Sequence, residues 1–213
     1  MVRLGSESIW AGDLRRKKQW VHGMQVHTPL MAEHNIISRM MEATKRLTGQ
    51  VRGSGQGFNG QDTVIDFLCM YVDRCHHVKE EEILFHHLEK KKIHEGDRKT
   101  MEELIQEHVF IMKSTGEIMS ARSEAGSRGD GEIVERRLRI LSDYYLEHIR
   151  KENETFFPRV LKYFSYYEQN SILQEFWRLN EKIPLEKYHA ALHKMETLTG
   201  MASYPSMRLF QSV

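Results

Sequence analysis

Cysteine is scarce in this chain, with Cys69 and Cys75 as the two cysteines among 213 residues. The two lie six positions apart in one predicted helix, a spacing that is poor geometry for a disulfide between them. A fold held together by disulfides is therefore excluded, and a structural zinc site, which is usually richer in cysteine, is disfavoured. A reducing cytoplasm is the simplest location, and we expect the protein to be cytoplasmic.

Long hydrophobic runs and an excess of one charge are also missing. No stretch reaches about 18 consecutive apolar residues, so no transmembrane helix is predicted. Residues 1–20 carry charge where a signal peptide needs an apolar segment. The formal net charge is +1, so there is no overall basic field of the kind that marks nucleic-acid binding. We therefore expect neither a membrane nor a nucleic acid as partner, and the oligomeric state stays undetermined.

Proline is rare, with 4 residues, and alternating runs typical of strands are few. Apolar residues recur instead with the period of an α-helix. This period predicts four main helices and two weaker ones, over about 29–49, 61–93, 97–125, 131–164, 168–180 and 184–199. Short connections make sequential helices antiparallel, so we expect an all-α protein with an up-down-up-down antiparallel four-helix bundle.

These helices divide the chain into three parts. We expect residues 1–27 to form an N-terminal extension and residues 28–166 to form the four-helix bundle. Residues 167–213 then form a helical C-terminal extension that packs on the outside of the bundle. The length is sufficient for one domain with a substantial core and short additions.

Histidine, by contrast, is abundant, with 12 residues. One ten-residue pattern occurs twice, as His76-x-x-Lys79-Glu80-x-Glu82-x-x-Phe85 and as His148-x-x-Lys151-Glu152-x-Glu154-x-x-Phe157. Each copy places a histidine and a glutamate four residues apart, on one helix face, with about 5–6 Å between their Cβ atoms. Two such helices facing each other could hold two metal ions.

Each copy also has a histidine upstream, in the sequences Glu33-His34 and Glu107-His108. The chain thus resembles two helical hairpins in tandem, and six inward-facing residues become candidate metal ligands: His34, His76, Glu80, His108, His148 and Glu152. The two glutamates have no obvious cationic partner on their apolar faces, and burying unpaired carboxylates is costly. Imidazole with carboxylate suits iron, manganese or zinc.

A second pairing is possible on the second helix, because His77 and Glu81 have the same spacing as His76 and Glu80. The repeat favours His76 and Glu80, since Glu80 precedes Phe85 by five residues as Glu152 precedes its own phenylalanine. The apolar face that runs into His76 supports the same choice.

The ordered set of six residues resembles the hemerythrin-like, or HHE cation-binding, family. The family pattern is a histidine, then His-x-x-x-Glu, then a histidine, then His-x-x-x-Glu/Asp on four successive helices. The resemblance covers about residues 28–164 and includes Phe156-Phe157-Pro158. It implies two iron ions in an oxo- or hydroxo-bridged and carboxylate-bridged centre, with Glu80 and Glu152 as the bridges.

One position departs from the oxygen-carrying members of this family, which have a further histidine where this chain has Met112. A thioether is poorly matched to ferric iron, so we expect Met112 to pack in the core and one iron to have fewer protein ligands. Tyr145 lies three residues before His148 on the inward face. It is either a plain core tyrosine or a phenol that hydrogen-bonds to, or ligates, the site.

The resemblance implies a non-haem di-iron protein that binds or reduces a small ligand, namely oxygen, peroxide or nitric oxide. Oxygen carriage, peroxidase- or catalase-like activity and nitric oxide reduction stay open, so the sequence does not decide whether the protein is an enzyme. The alternative is an iron- or oxygen-responsive sensor or iron-handling protein without turnover. A helical scaffold without metal is the third interpretation.

Overall fold

The computed structural model describes residues 24–50, 59–128 and 131–203, without the side chains of residues 125–128. All regular structure in these ranges is helical, and they contain no strand, so the predicted all-α class is confirmed. None of the helices in the described ranges has the length and apolarity needed to cross a bilayer. Most of the expected N-terminal extension, residues 1–23, lies outside the described residues.

Six helices follow one another in the described ranges. We number them α1 (Thr28–Gln50), α2 (61–89), α3 (Glu95–Arg128), α4 (131–163), α5 (Tyr166–Asn180) and α6 (Leu185–Thr199). Each of the predicted helices is present, and the bounds differ from the predicted ones by four residues or fewer. The main difference is the end of α2, which stops at Glu89 because the chain turns before the lysine run begins.

Two of the long helices depart from α-helical geometry. In α2, Phe67–His76 and Lys79–Phe85 are π-helical, and in α4 the π-helical segment is Glu152–Phe156. The backbone N–H of His77 donates to the carbonyl of Val72, five residues earlier. Such wide turns are rare and concentrate at functional sites. They also change which neighbouring residues face inward, which a period of 3.6 residues does not predict.

The buried apolar residues form two clusters. The first contains Ile37, Val72, Ile111 and Tyr145 among others, together with Tyr188, Leu192 and Met195 of α6. The second contains Leu30, Phe85, Leu104, Phe156 and Phe157 among others, together with Ile172, Leu173 and Phe176 of α5. Along each of α1 to α4, the candidate ligands lie between residues of one cluster and residues of the other. A polar layer therefore divides the core.

Hydrogen bonds connect the start of α3 to the end of α4. The hydroxyl of Tyr163 donates to Oδ2 of Asp97 at 2.7 Å, and the backbone N–H of His94 donates to the same hydroxyl at 3.0 Å. The hydrogen bond from Tyr163 is the main reason why the pKa of Asp97 is lowered, and nearby Lys162 adds to the effect. These contacts fix the end of the bundle closest to the second apolar cluster.

Candidate metal centre

The six candidate ligands converge in the polar layer between the two apolar clusters. All six are at most 2% exposed. They form two groups of four whose ligand atoms lie within 4.8 Å of one another, His34, His76, Glu80 and Glu152 in the first group and Glu80, His108, His148 and Glu152 in the second. Both groups contain both carboxylates.

In the first group, the Nε2 atoms of two histidines point at each other and at the carboxylates. Nε2 of His34 lies 3.0 Å from Nε2 of His76, 3.1 Å from Oε2 of Glu152 and 3.5 Å from Oε1 of Glu80. Nε2 of His76 lies 3.5 Å from the same oxygen of Glu80. Four possible ligand atoms that point at one shared position are an arrangement suited to a bound cation.

The second group repeats this geometry on the other side. Nε2 of His108 lies 3.1 Å from Nε2 of His148, 3.5 Å from Oε2 of Glu80 and 3.7 Å from Oε1 of Glu152. Nε2 of His148 lies 3.4 Å from Oε2 of Glu152. Glu80 thus presents one oxygen to each group.

The two central carboxylates lack hydrogen-bond donors. All four oxygens of Glu80 and Glu152 are buried, and none accepts a hydrogen bond from the described residues. A buried carboxylate in this condition is costly unless a cation balances it. Imidazole and carboxylate are suitable ligands for iron, manganese or zinc. The side chains therefore fit a pair of bound metal ions.

The negative charge of the two glutamates raises the pKa of two of the histidines. Burial by itself lowers the pKa of His34, but the neighbouring Glu152 and Glu80 raise it to about 10. The pKa of His108 is also raised to about 10, where Glu152, Glu81 and Glu80 outweigh burial. Positive charge is thus favoured in the centre.

The outer nitrogen of each histidine is also engaged. Each Nδ1–H donates to an oxygen acceptor at 2.7–3.0 Å, and the pairs are His34 with Asn153, His76 with Glu33, His108 with Glu81, and His148 with Glu107. Such bonds fix the tautomer and the ring orientation of a metal-binding histidine. They leave each Nε2 free to face the centre.

The role of these acceptors was not predicted, although the repeat contains a signal for them. Glu33 and Glu107 each directly precede a candidate ligand, and each accepts from the histidine of the following helix. Glu81 and Asn153 each directly follow a central glutamate. Residues that recur at the same place in both hairpins could have been read as supporting groups.

The repeated lysines hold two of these acceptors. Lys79 donates to Glu33, and Lys151 donates to Glu107 at 2.8 Å. The first pair is buried, whereas the side chain of Lys151 is 27% exposed and also contacts Glu103. Although burial opposes it, the attraction of Lys79 and then of His76 lowers the pKa of Glu33 to about 2. The two halves of the centre thus have equivalent lysine–glutamate pairs, but only the pair of the first half is buried.

The structure separates the two residues of the alternative pairing. The side chain of Glu81 is 35% exposed and accepts a hydrogen bond from the outer nitrogen of His108, so its carboxylate faces away from the centre. His77 is buried, and its Nε2 lies 2.5 Å from the hydroxyl of Tyr145. Tyr145 is fully buried beside the centre and reaches it through His77.

The expectation for Met112 is wrong. We expected this side chain to pack in the core, but it is 56% exposed. The inward face of α3 is set by His108, Ile111 and Thr115, and Met112 follows Ile111 on the side turned to solvent. No thioether from this position reaches the centre.

A surface cavity of about 240 Å³ approaches the centre between α3 and α4. Its lining consists of Glu107, Tyr144, Glu147, His148, Arg150, Lys151 and Thr155. His148 is the one candidate ligand in this lining. The second group of ligands thus borders a surface cavity through His148.

The fold and the site together define an all-helical protein whose core carries a histidine and glutamate cluster suited to metal ions. The family model described as the hemerythrin HHE cation binding domain matches residues 26–160, more than half of the chain. The chain therefore belongs to this family. Comparisons with curated proteins and with solved structures found no match.

Proposed function

We propose that this protein is a non-haem di-iron protein that binds or reduces a small ligand, namely oxygen, peroxide or nitric oxide. The observation that carries the proposal is the pair of four-residue groups that share Glu80 and Glu152. One iron is held by His34 and His76 and the other by His108 and His148. Glu80 and Glu152, which belong to both groups, would be shared by the two ions as bridging carboxylates, together with an oxo or hydroxo group.

When bound, two neighbouring irons would supply two electrons to one small ligand. The protein orients the imidazoles through their outer hydrogen bonds and holds the carboxylates in place. Aromatic rings cover the histidines, because Phe157 stacks on His34 at 5.7 Å and Phe85 stacks on His108 at 6.2 Å between ring centroids. A covered centre of this kind limits access by water and favours small, weakly polar ligands.

The proposal includes the up-down-up-down arrangement of α1 to α4. Contacts between α1 and α2, α2 and α3, α3 and α4, and α1 and α4 support a closed ring of four helices. The segments that join them are short, at residues 51–60, 90–94 and 129–130. In this proposal residues 167–213 are an extension on the bundle, and the free cysteines suit a cytoplasmic protein.

A second candidate function is an iron-responsive sensor or iron-handling protein without turnover. It is favoured by the four carboxylate oxygens that lack donors in the middle of the core. Metal binding would then contribute directly to folding and so change the surface offered to a partner. Similar melting temperatures with and without iron would contradict this function.

Metal analysis of the purified protein tests both candidates. We expect two iron ions per chain in the wild type, a strong loss in His76→Ala, and no loss in the matched surface variant His86→Ala. A wild type that binds no metal after expression with ample iron would contradict the proposal. Oxygen added to the anaerobically reduced protein then separates the chemistries, since a reversible spectral change indicates carriage and permanent oxidation of the irons indicates reduction of the ligand.

A further inference from the structure

We propose that His77 is a third histidine ligand of the ion held by His108 and His148, so that the two metal positions are chemically different. This inference rests on the proposed function and deepens it. The first ion then has two imidazoles, from His34 and His76, and the second has three.

The position of His77 supports this assignment. A ring nitrogen of His77 lies within 4.8 Å of ligand nitrogens of His108 and His148, so one ion can be reached by all three. The His77 ring stacks on that of His108, with centroids 4.1 Å apart and planes 18° apart. Only 5% of His77 is exposed, so its nitrogens face protein groups and not bulk water.

The helix geometry explains how two consecutive histidines face the same centre. His76 ends one π-helical segment of α2, and the next begins at Lys79. In a regular α-helix, adjacent residues are far apart around the axis, and one of the two rings would turn away. Because wide turns lie on either side of this pair, the imidazole of His76 faces the first group and that of His77 faces the second.

The repeat shows that this feature belongs to one half of the centre. The alignment that pairs His76 with His148 pairs His77 with Ile149 and Asp73 with Tyr145. The first ion therefore has no counterpart of His77 from α4. Met112 of α3, four residues after His108, faces solvent, so that position offers no further ligand to the second ion.

Tyr145 holds the imidazole of His77 in position. Its hydroxyl lies 2.5 Å from Nε2, the two rings are parallel to within 1°, and Oδ1 of Asp73 lies 3.4 Å from Nδ1. A metal ion at Nε2 would compete with the hydroxyl for the lone pair of that nitrogen. Removing the hydroxyl therefore leaves metal binding intact or strengthens it if His77 is a ligand.

Cobalt(II) titration of the metal-free protein tests the inference in a His34→Ala background, where the ion at His108 and His148 is isolated. His77→Phe keeps the stacked ring and removes both nitrogens. We expect it to weaken cobalt binding about 10–100-fold, the range for losing a group that supports a metal, or more. The visible cobalt absorption should shift as a nitrogen ligand is lost, and His86→Ala is the control on the same helix.

Tyr145→Phe separates ligation from hydrogen bonding. We expect this variant to bind cobalt as tightly as its parent or more tightly. Unchanged affinity and spectrum in His77→Phe, with circular dichroism showing a folded helical protein, would overturn the inference while leaving the di-iron proposal standing. If His77→Phe does not fold, His77→Ala replaces it under the same criteria. A full chain that takes up fewer than two cobalt ions would overturn both proposals.

Discussion

At the scale of single residues, the two lysines of the repeat lie in different surroundings. Lys79 is fully buried against Glu33, whereas Lys151 lies half-exposed between Glu103 and Glu107. Removing one partner of a buried ion pair leaves an uncompensated charge in the core, while an exposed pair contributes little. Equivalent positions in the repeat thus have unequal energetic importance.

We expect Lys79→Met to lower the free energy of unfolding by about 3–5 kcal/mol, because the charge of Glu33 is left buried without its cation. The matched change Lys151→Met should cost about 0–1 kcal/mol. Urea unfolding of both metal-free variants, followed by circular dichroism, measures the difference. Equal losses would show that the buried pair is not special.

The outer acceptor of His148 offers a second comparison. Glu107 and Glu103 both accept from Lys151, but only Glu107 also accepts from His148, at 2.7 Å. We expect Glu107→Ala to weaken metal binding about 10–100-fold, because the imidazole loses the bond that orients it. Glu103→Ala should bind as the wild type does, which isothermal titration with zinc measures. Two variants of equal affinity would contradict the assigned role of Glu107.

The sequence predicted which residues come together but not all that surrounds them. His34, His76, Glu80, His108, His148 and Glu152 could be chosen because they repeat in order on inward faces. Their role as metal ligands stays a prediction. The environment of His77 could not be foreseen, because it depends on the π-helical segments on either side of it. The exposure of Met112 agrees with the regular spacing of His108, Ile111 and Thr115, which a family comparison at this position overrode.

At the scale of the helices, apolar periodicity and short connections were enough to locate α1 to α6. Apolar periodicity could not predict the π-helical segments. We attribute these segments to the need for ligands from several helices to meet in one layer, and not to local residue preference. The prediction of a regular helix through His76 and Glu80 was therefore right in extent and incomplete in geometry. The contact between the ends of α3 and α4 also depends on residues distant in sequence.

That contact leads to a prediction about pH. The pKa of Asp97 is lowered in the folded protein, chiefly by the hydrogen bond from Tyr163. A carboxyl with a lowered folded pKa stabilises the protein above its unfolded pKa, near 3.8, and this stabilisation is lost as the pH falls through the folded pKa. We therefore expect Asp97→Asn to be less stable than the wild type at neutral pH, by about 1 kcal/mol, and nearly equal to it in acid.

Urea unfolding of the metal-free proteins at neutral pH and at about pH 2.5, below the unfolded pKa of an aspartate, measures this convergence. Tyr163→Phe is the control, because it removes the donor and should reduce the same pH dependence. A stability difference that stays constant in acid would contradict the assignment.

At the scale of the whole molecule, a polar layer separates two apolar clusters, and the layer carries the candidate metal ligands. Ions bound there join residues from α1 to α4 and balance the buried carboxylates. A ligand present at 1,000 times its dissociation constant stabilises the folded state by about 4 kcal/mol. Removal of metal should thus lower the stability of the whole bundle.

We expect a chelator to lower the melting temperature of the wild type markedly, and added iron or zinc to restore it. Glu152→Ala should lose most of this metal dependence, because it removes a ligand common to both groups. Glu154→Ala, two residues further along α4 and exposed, should retain it. Differential scanning calorimetry measures all three proteins, and a chelator effect that survives in Glu152→Ala would place the stabilising metal elsewhere.

The first apolar cluster has a consequence for the order of synthesis. Tyr188 of α6 packs against Tyr71 and Phe67 of α2, with ring centroids 5.4 and 6.1 Å apart. A chain made from its N-terminus presents α2 to solvent, or to chaperones, long before α6 leaves the ribosome. Because the ribosomal tunnel delays α6 further, the aromatic surface of α2 stays without this cover until well after α2 has been made.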